Sequence, residues 1–232
     1  MIKWVFILFV FVSACQKQDI QQKPVVYDYG YFPLDSGMWK QYDVTQIVID
    51  TASEVWDTAK YQLREVFTGW FINAANDSTM RIERYMRNNI NQAWQPIGVW
   101  QACVNSADAL QTEENIKYLK IKFPVRLNFD WNGNIYNRLD TLMEYRYIFT
   151  SVDKPETING VDFDLVTIVT QKEKISIVDK IYFFEKYAYG VGLVEKQQID
   201  IYSGDPDPST PIEQRITKGV MYYQKITAYG KN

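Results

Sequence analysis

The chain has 232 residues, a net charge of −3, 16% aromatic residues and no histidine. Without imidazole there is no Ser-His-Asp or Cys-His catalysis, no histidine-ligated metal site and no histidine pH switch. No basic stripe offsets the acidic balance, so a phosphate backbone finds no footprint and nucleic acid is excluded as a partner.

The N-terminal segment has the order of an export signal. Lys3 is the positive start, Trp4 to Val12 is an unbroken apolar run, and Ser13 and Ala14 are small residues at the cut. The run is much shorter than the about twenty apolar residues that span a bilayer. Val12-Ser13-Ala14-Cys15 resembles the bacterial lipobox. The resemblance implies that residues 1–14 are removed and that Cys15 carries lipid; several acyl chains on one residue anchor firmly. Gln16, where an aspartate would favour the inner membrane, implies retention in the outer membrane. Residues 15–26 then form the lipidated cysteine and a polar tether, and residues 27–232 form one domain without internal linker or repeat.

Alternation of apolar and polar residues with period two dominates that domain. In Thr79–Met86, Met80, Ile82 and Met86 share a face, with Arg81 and Glu83 opposite. In Lys117–Phe123, the alternation sends Leu119, Ile121 and Phe123 inward and Lys120 and Lys122 outward. Met143–Phe149 and Val161–Val169 repeat the scheme. The Asn159-Gly160 pair predicts a tight turn, and thus a hairpin of Tyr145–Ser151 with Val161–Thr170, because both turn residues tolerate positive φ. Ile181–Tyr187, Gly192–Tyr202 and Thr217–Tyr229 follow as strands. Three prolines make Ser203–Pro211 a loop. Ser106–Asn115 reads almost equally as a short helix or a strand. The expected class is all-β: one antiparallel, strongly curved sheet or barrel of about ten strands, with at most one or two short helices.

Tyr31-Phe32-Pro33-Leu34 leading into Gly37-Met38-Trp39, the stretch Lys122–Asn137, Thr157–Phe163 and Lys186–Val194 together resemble segments of a broad group of uncharacterised bacterial lipoproteins. The resemblance implies a curved sheet or barrel of the kind found in bacterial lipoprotein carriers and lipocalins. It implies no activity. Gly, Pro and aromatic residues in such motifs serve folding first: Gly190 and Gly192 permit a sharp bend.

Few side chains stand out for chemistry. The adjacent acids Glu113-Glu114 and the alternating acids Asp162 and Asp164 read as solvated faces, with nothing in the sequence to mark them as desolvated. Asp205, Asp207, Ser209 and Thr210 offer oxygens to a hard cation, but without the glycine of a calcium loop. Cys103, left without a partner if Cys15 is acylated, lies in an apolar strand-like run and reads as a core thiol. Trp94, Trp100 and Trp131 are the candidate ligand contacts, with Trp94–Trp100 resembling a binding lip around a proline turn. No catalytic residue, metal or cofactor is expected. The lipobox resemblance together with a tryptophan-rich β domain implies a non-catalytic envelope lipoprotein that binds or carries a small apolar or sugar ligand. The alternative is a structural subunit of an outer-membrane complex that meets an envelope protein.

Overall fold

The computed structural model describes residues 28–137 and 146–232. The signal segment, Cys15 and the tether lie outside the described residues, as does the beginning of the strand expected from Met143. The described residues form one antiparallel sheet of twelve strands: β1 (Met38–Asp50), β2 (Val55–Ile72), β3 (Ser78–Arg87), β4 (Gln95–Val104), β5 (Asp108–Glu113), β6 (Ile116–Lys122), β7 (Asp130–Asn132), β8 (Arg146–Ile158), β9 (Val161–Ile175), β10 (Asp179–Ala188), β11 (Gly192–Tyr202) and β12 (Lys218–Lys231). Their spatial order is β6-β5-β4-β3-β2-β1-β12-β11-β10-β9-β8-β7. Apart from the full-length pairing of β1 with β12, every neighbour in space is a neighbour in sequence. The sheet is an up-and-down barrel whose remaining gap lies between β6 and β7.

That gap is stapled. The Leu119 amide donates to the Gly133 carbonyl at 2.9 Å. The Trp131 indole N–H donates to the Leu119 carbonyl at 2.9 Å. The Asn137 side chain accepts from the Lys117 amide at 3.2 Å and donates to the Lys117 carbonyl at 2.9 Å, imitating a paired backbone residue. Satisfying an otherwise open edge in this way removes a template for aggregation.

One end of the barrel, the base, carries the entering segment 28–37, the β2–β3 and β10–β11 turns and the C-terminus; the Asn232 amide donates to the Gly37 carbonyl at 3.0 Å. The base is plugged by a core that includes Tyr31, Phe32, Phe67, Ile82, Phe123, Trp131, Phe149 and Tyr187. The other end, the mouth, is ringed by the β1–β2 turn, the β9–β10 turn and the 203–217 loop; the Thr51 amide donates to the Thr217 carbonyl at 2.9 Å and the Ser203 amide to the Val178 carbonyl at 2.8 Å. A satellite cluster of Ile49, Ile199, Ile201 and Met221 lies under Ile212 and Ile216 of that loop.

The β8–β9 hairpin forms as expected, with Asn159 at φ +50° and Gly160 at φ +81°. Among the described residues there are twelve strands rather than about ten, and the helical elements are three 3-10 turns at Tyr29–Tyr31, Thr51–Ser53 and Ile212–Gln214. Within Ser106–Asn115 lies β5 (Asp108–Glu113), a strand and not a helix. Its approach is set by Asn105, whose side chain accepts from the amides of Ala107 and Asp108, both at 2.8 Å, turning the chain back into the sheet instead of starting a helix. The anticipated proline turn at Trp94–Trp100 is the start of β4. Pro96 is tolerated because β4 pairs there with β3 alone, β5 joining only from Gln101. Lys120 corrects the simple alternation in β6. Ala109 pairs with Ile121 and Leu110 with Leu119, so Lys120 is the extra residue of a bulge and is buried instead of pointing outward.

Candidate functional site

Between the plugged base and the open mouth lies a layer of ionised side chains. Strand pairing builds it. Lys40 on β1 stands opposite Glu65 on β2, and Glu65 opposite Arg84 on β3. On the strands that follow beyond β1, Glu185 on β10 stands opposite Lys196 on β11, and Lys196 opposite Gln224 on β12, itself the neighbour of β1. Glu113 at the end of β5 and the bulged Lys120 complete the set. Lys120 Nζ lies 2.6 Å from Glu185 Oε1 and 3.0 Å from Glu113 Oε1. Lys196 Nζ is 3.4 Å from Glu185 Oε1 and 3.5 Å from Glu113 Oε2. The Tyr187 hydroxyl donates to Glu185 Oε2.

The electrostatics follow from burial and pairing. Burial pushes the Glu113 and Glu185 carboxyls up, but Lys120 and Lys196 outweigh it and hold both below the ordinary carboxylate range. Burial pushes the Lys120 ammonium down, but Glu113 and Glu185 raise it well above its ordinary value. Lys40 goes the other way: burial dominates and lowers it, against the opposing pull of Glu65 and Glu185.

The layer is the floor of an open lumen. At the mouth a cavity of about 460 Å³ is walled by Phe183, Gln198, Tyr202, Val220 and Tyr222. It shares Gln198 and Tyr222 with a deeper cavity of about 290 Å³ whose walls include Tyr61, Arg84, Trp100, Glu113, Lys196 and Gln224. A third, of about 140 Å³, shares Glu113, Lys196 and Gln198 and adds Tyr118, Tyr147 and Gln171. Beneath them Phe32, Pro33 and Leu34 enclose a space of about 20 Å³ beside Lys40, Glu65 and Gly192. Gly192 has φ +87°, and a Cβ there would lie 3.4 Å from Pro33 and 3.5 Å from Lys40 Nζ. Gln171 and Gln224 are buried in these walls, and the Nε2 of each lacks a hydrogen-bond partner.

The three tryptophans go to three different places. Trp100 is in the lumen wall. The Arg84 guanidinium carbon sits 3.4 Å from its ring centroid, and its indole N–H donates to Glu114 Oε1 at 3.1 Å. The two residues are diagonal neighbours on one sheet face, and the residue opposite Arg84 is Gly98, which puts no side chain between them. Trp94 lies outside the lumen walls, with the Arg87 guanidinium 4.3 Å from its ring. Trp131 belongs to the β6–β7 staple and packs on Phe149, ring centroids 4.7 Å apart.

The remaining candidates separate likewise. Glu113, expected on a solvated face, is in the charged floor, while Glu114 is on the exposed rim. Asp162 is exposed and accepts from the Thr157 hydroxyl at 2.6 Å. Asp207 accepts from Ser209 and Thr210 Oγ1, so that loop's own hydroxyls occupy its carboxylate. Cys103 is half-buried on β4, and burial raises its thiol pKa. Sequence reasoning passed over Lys40, Glu65, Arg84, Lys120, Glu185 and Lys196. One signal was available: in β1 and β2, Lys40 and Glu65 fall in phase with the apolar positions Met38, Tyr42, Leu63 and Phe67.

No family model matches the chain, and no curated protein matches it. Among solved structures it is similar to a "putative exported protein with YmcC-like fold" from Bacteroides fragilis, at 12% identity over 86% of this chain and 98% of that one, with a TM-score of 0.45. It is also similar to a "putative lipoprotein" from Parabacteroides distasonis, at 12% identity over the same shares, with a TM-score of 0.42. At these identities the likeness concerns fold alone.

Proposed function

We propose that this protein is a lipid-anchored envelope lipoprotein, held at the outer membrane through acylated Cys15, whose barrel is a non-catalytic binding or carrier module for a sugar-like ligand. The lumen carries this reading. It is open at one end, walled by Tyr61, Trp100, Phe183, Tyr202 and Tyr222, and floored by charges and unpartnered amides. Aromatic faces suit the C–H faces of a sugar ring, and a few convergent polar groups supply orientation. Of the ligand classes that the composition suggests, a purely apolar one fits worse, because it would strip water from the ionised floor without replacing its hydrogen bonds. The described chain enters the barrel at the base, the end opposite the mouth.

A second reading, an accessory subunit of an outer-membrane complex, rests on Trp70, Phe71 and Ile72, which are consecutive and exposed at the end of β2. Native mass spectrometry of the full-length protein from its own envelope separates the two. The binding reading expects an acylated N-terminal cysteine and a co-purifying small molecule that is lost in Trp100→Ala. A stoichiometric protein in its place supports the subunit reading. No small molecule, together with no response to a panel of sugars, refutes the binding reading.

A further inference from the structure

We infer that the protein pairs with a second copy of itself along the mouth end of β2, joining two barrels into one continuous antiparallel sheet; this stands apart from what the lumen holds. β2 outruns its neighbour. Val55 to Val66 pair with β1 without a bulge, but β3 joins only from Gln62. Among the described residues, Val55–Tyr61 is therefore a strand with one free edge. Val55 to Lys60 are all exposed, Trp56 at 67%. Such an edge presents a row of backbone donors and acceptors that another strand can meet. It carries no proline and no bulge, and its charges, Asp57 and Lys60, fall on opposite faces. Its seven residues are enough for an ordinary strand. At the seam between β6 and β7, by contrast, Trp131 and Asn137 fill the edge with their own hydrogen bonds.

The edge is complementary to itself. Tyr61 stands opposite Val44, Leu63 opposite the buried Tyr42, and Tyr61 lines the lumen, so Val55, Asp57, Ala59 and Tyr61 face the lumen side and Trp56, Thr58 and Lys60 face outward. Two identical antiparallel strands related by a two-fold axis keep each face on its own side of the joint sheet. Centred on Thr58, the register pairs all seven residues. Trp56 then stands opposite Lys60 of the second copy, Val55 opposite its Tyr61, Asp57 opposite its Ala59 and Thr58 opposite its Thr58. Aromatic–β-branched, cation–aromatic and Thr–Thr pairs are favourable across strands. No like charges are directly opposed, and the two Asp57 carboxylates lie on a diagonal. Sliding one copy by two residues either leaves Trp56 without a partner, because β3 occupies the edge from Gln62 on, or sets Asp57 opposite itself. An unrelated strand would satisfy the backbone equally, but this edge supplies matching side chains of its own.

A seam of one strand pair is small, so the dimer should be weak and concentration-dependent. Native mass spectrometry of the full-length protein over a concentration series should show monomer giving way to dimer. Thr58→Lys, which opposes two ammonium groups at an exposed position, should weaken that dimer roughly fivefold or more. Disulfide trapping in intact cells reads the register. In a Cys103→Ser background, Thr58→Cys should give a cross-linked homodimer at least roughly ten times as abundant as Lys60→Cys does, because the two thiols of the latter would lie about 13 Å apart along the strands. Monomer at every concentration, a dimer indifferent to Thr58→Lys, or equal trapping at the two positions would overturn the pairing. A Thr58→Cys product linked to a different protein would overturn it too and assign the edge to that partner. Trapping decides the matter even if Thr58→Lys does not fold.

Discussion

Replacing Glu185 with glutamine tests whether the charged floor holds as a unit. Glu185 is 0% exposed and is the common partner of Lys120 at 2.6 Å, Lys196 at 3.4 Å and the Tyr187 hydroxyl. Glutamine keeps the shape and an acceptor for Tyr187, but leaves Lys120 and Lys196 facing Glu113 alone. Removing one partner of a buried ion pair costs about 3–5 kcal/mol. The retained acceptor places Glu185→Gln at the lower end, about 3 kcal/mol. At roughly 2–4 °C per kcal/mol for a chain of this size, the melting temperature should fall by roughly 6–12 °C. Adding Lys120→Met removes the orphaned ammonium and leaves Lys196 paired with Glu113. The double variant should therefore recover at least half of the loss, since an ion pair replaced by well-packed groups is close to neutral. Urea unfolding of the three proteins, with unchanged slope, measures both steps. A single variant within about 1 kcal/mol of wild type, or a double variant no better than the single, would refute the description of the floor as a coupled buried network.

Three further outcomes follow from the same structure. Glu113 and Glu185 titrate lower in the folded protein than the 4.5 usual for glutamate, so they add stability above that pH that is lost as pH falls through their depressed values; melting temperature against pH should be level near neutrality and decline below about 4.5. A decline that already begins above pH 6 would contradict this assignment. Asn137→Ala breaks both bonds to Lys117 and should cost about 1–3 kcal/mol, with faster hydrogen exchange at Leu119 in the seam; unaltered exchange there would mean that the barrel does not depend on the staple. Cys103, with its thiol raised by burial, should react slowly with an aromatic disulfide reagent in the native protein and quickly in urea; fast native labelling would place it on the open surface.

The all-β class and the β8–β9 hairpin were legible in the sequence because they depend on local chemistry. Period-two alternation separates the two faces of a strand, and Asn159-Gly160 accepts the positive φ of a tight turn. The reading of Lys120 failed for a reason equally local in origin but visible only in three dimensions: one bulged residue shifts the alternation, and a bulge is a property of two paired strands. Pro96 was misjudged and the short β5 was left undecided between helix and strand because whether a strand has a free edge, or a partner at all, is decided by its neighbours. The charged floor has the same origin. Lys40, Glu65, Arg84, Glu185 and Lys196 are ordinary surface-type residues in their own strands, and they become a buried network only when the sheet curls round and brings Glu113 and Lys120 of β5 and β6 against Glu185 and Lys196 of β10 and β11. Composition alone settled that any site here would lack histidine. The tertiary structure decided which of the three tryptophans reaches the lumen, because sequence marks an aromatic side chain but not the place in a closed barrel where it arrives.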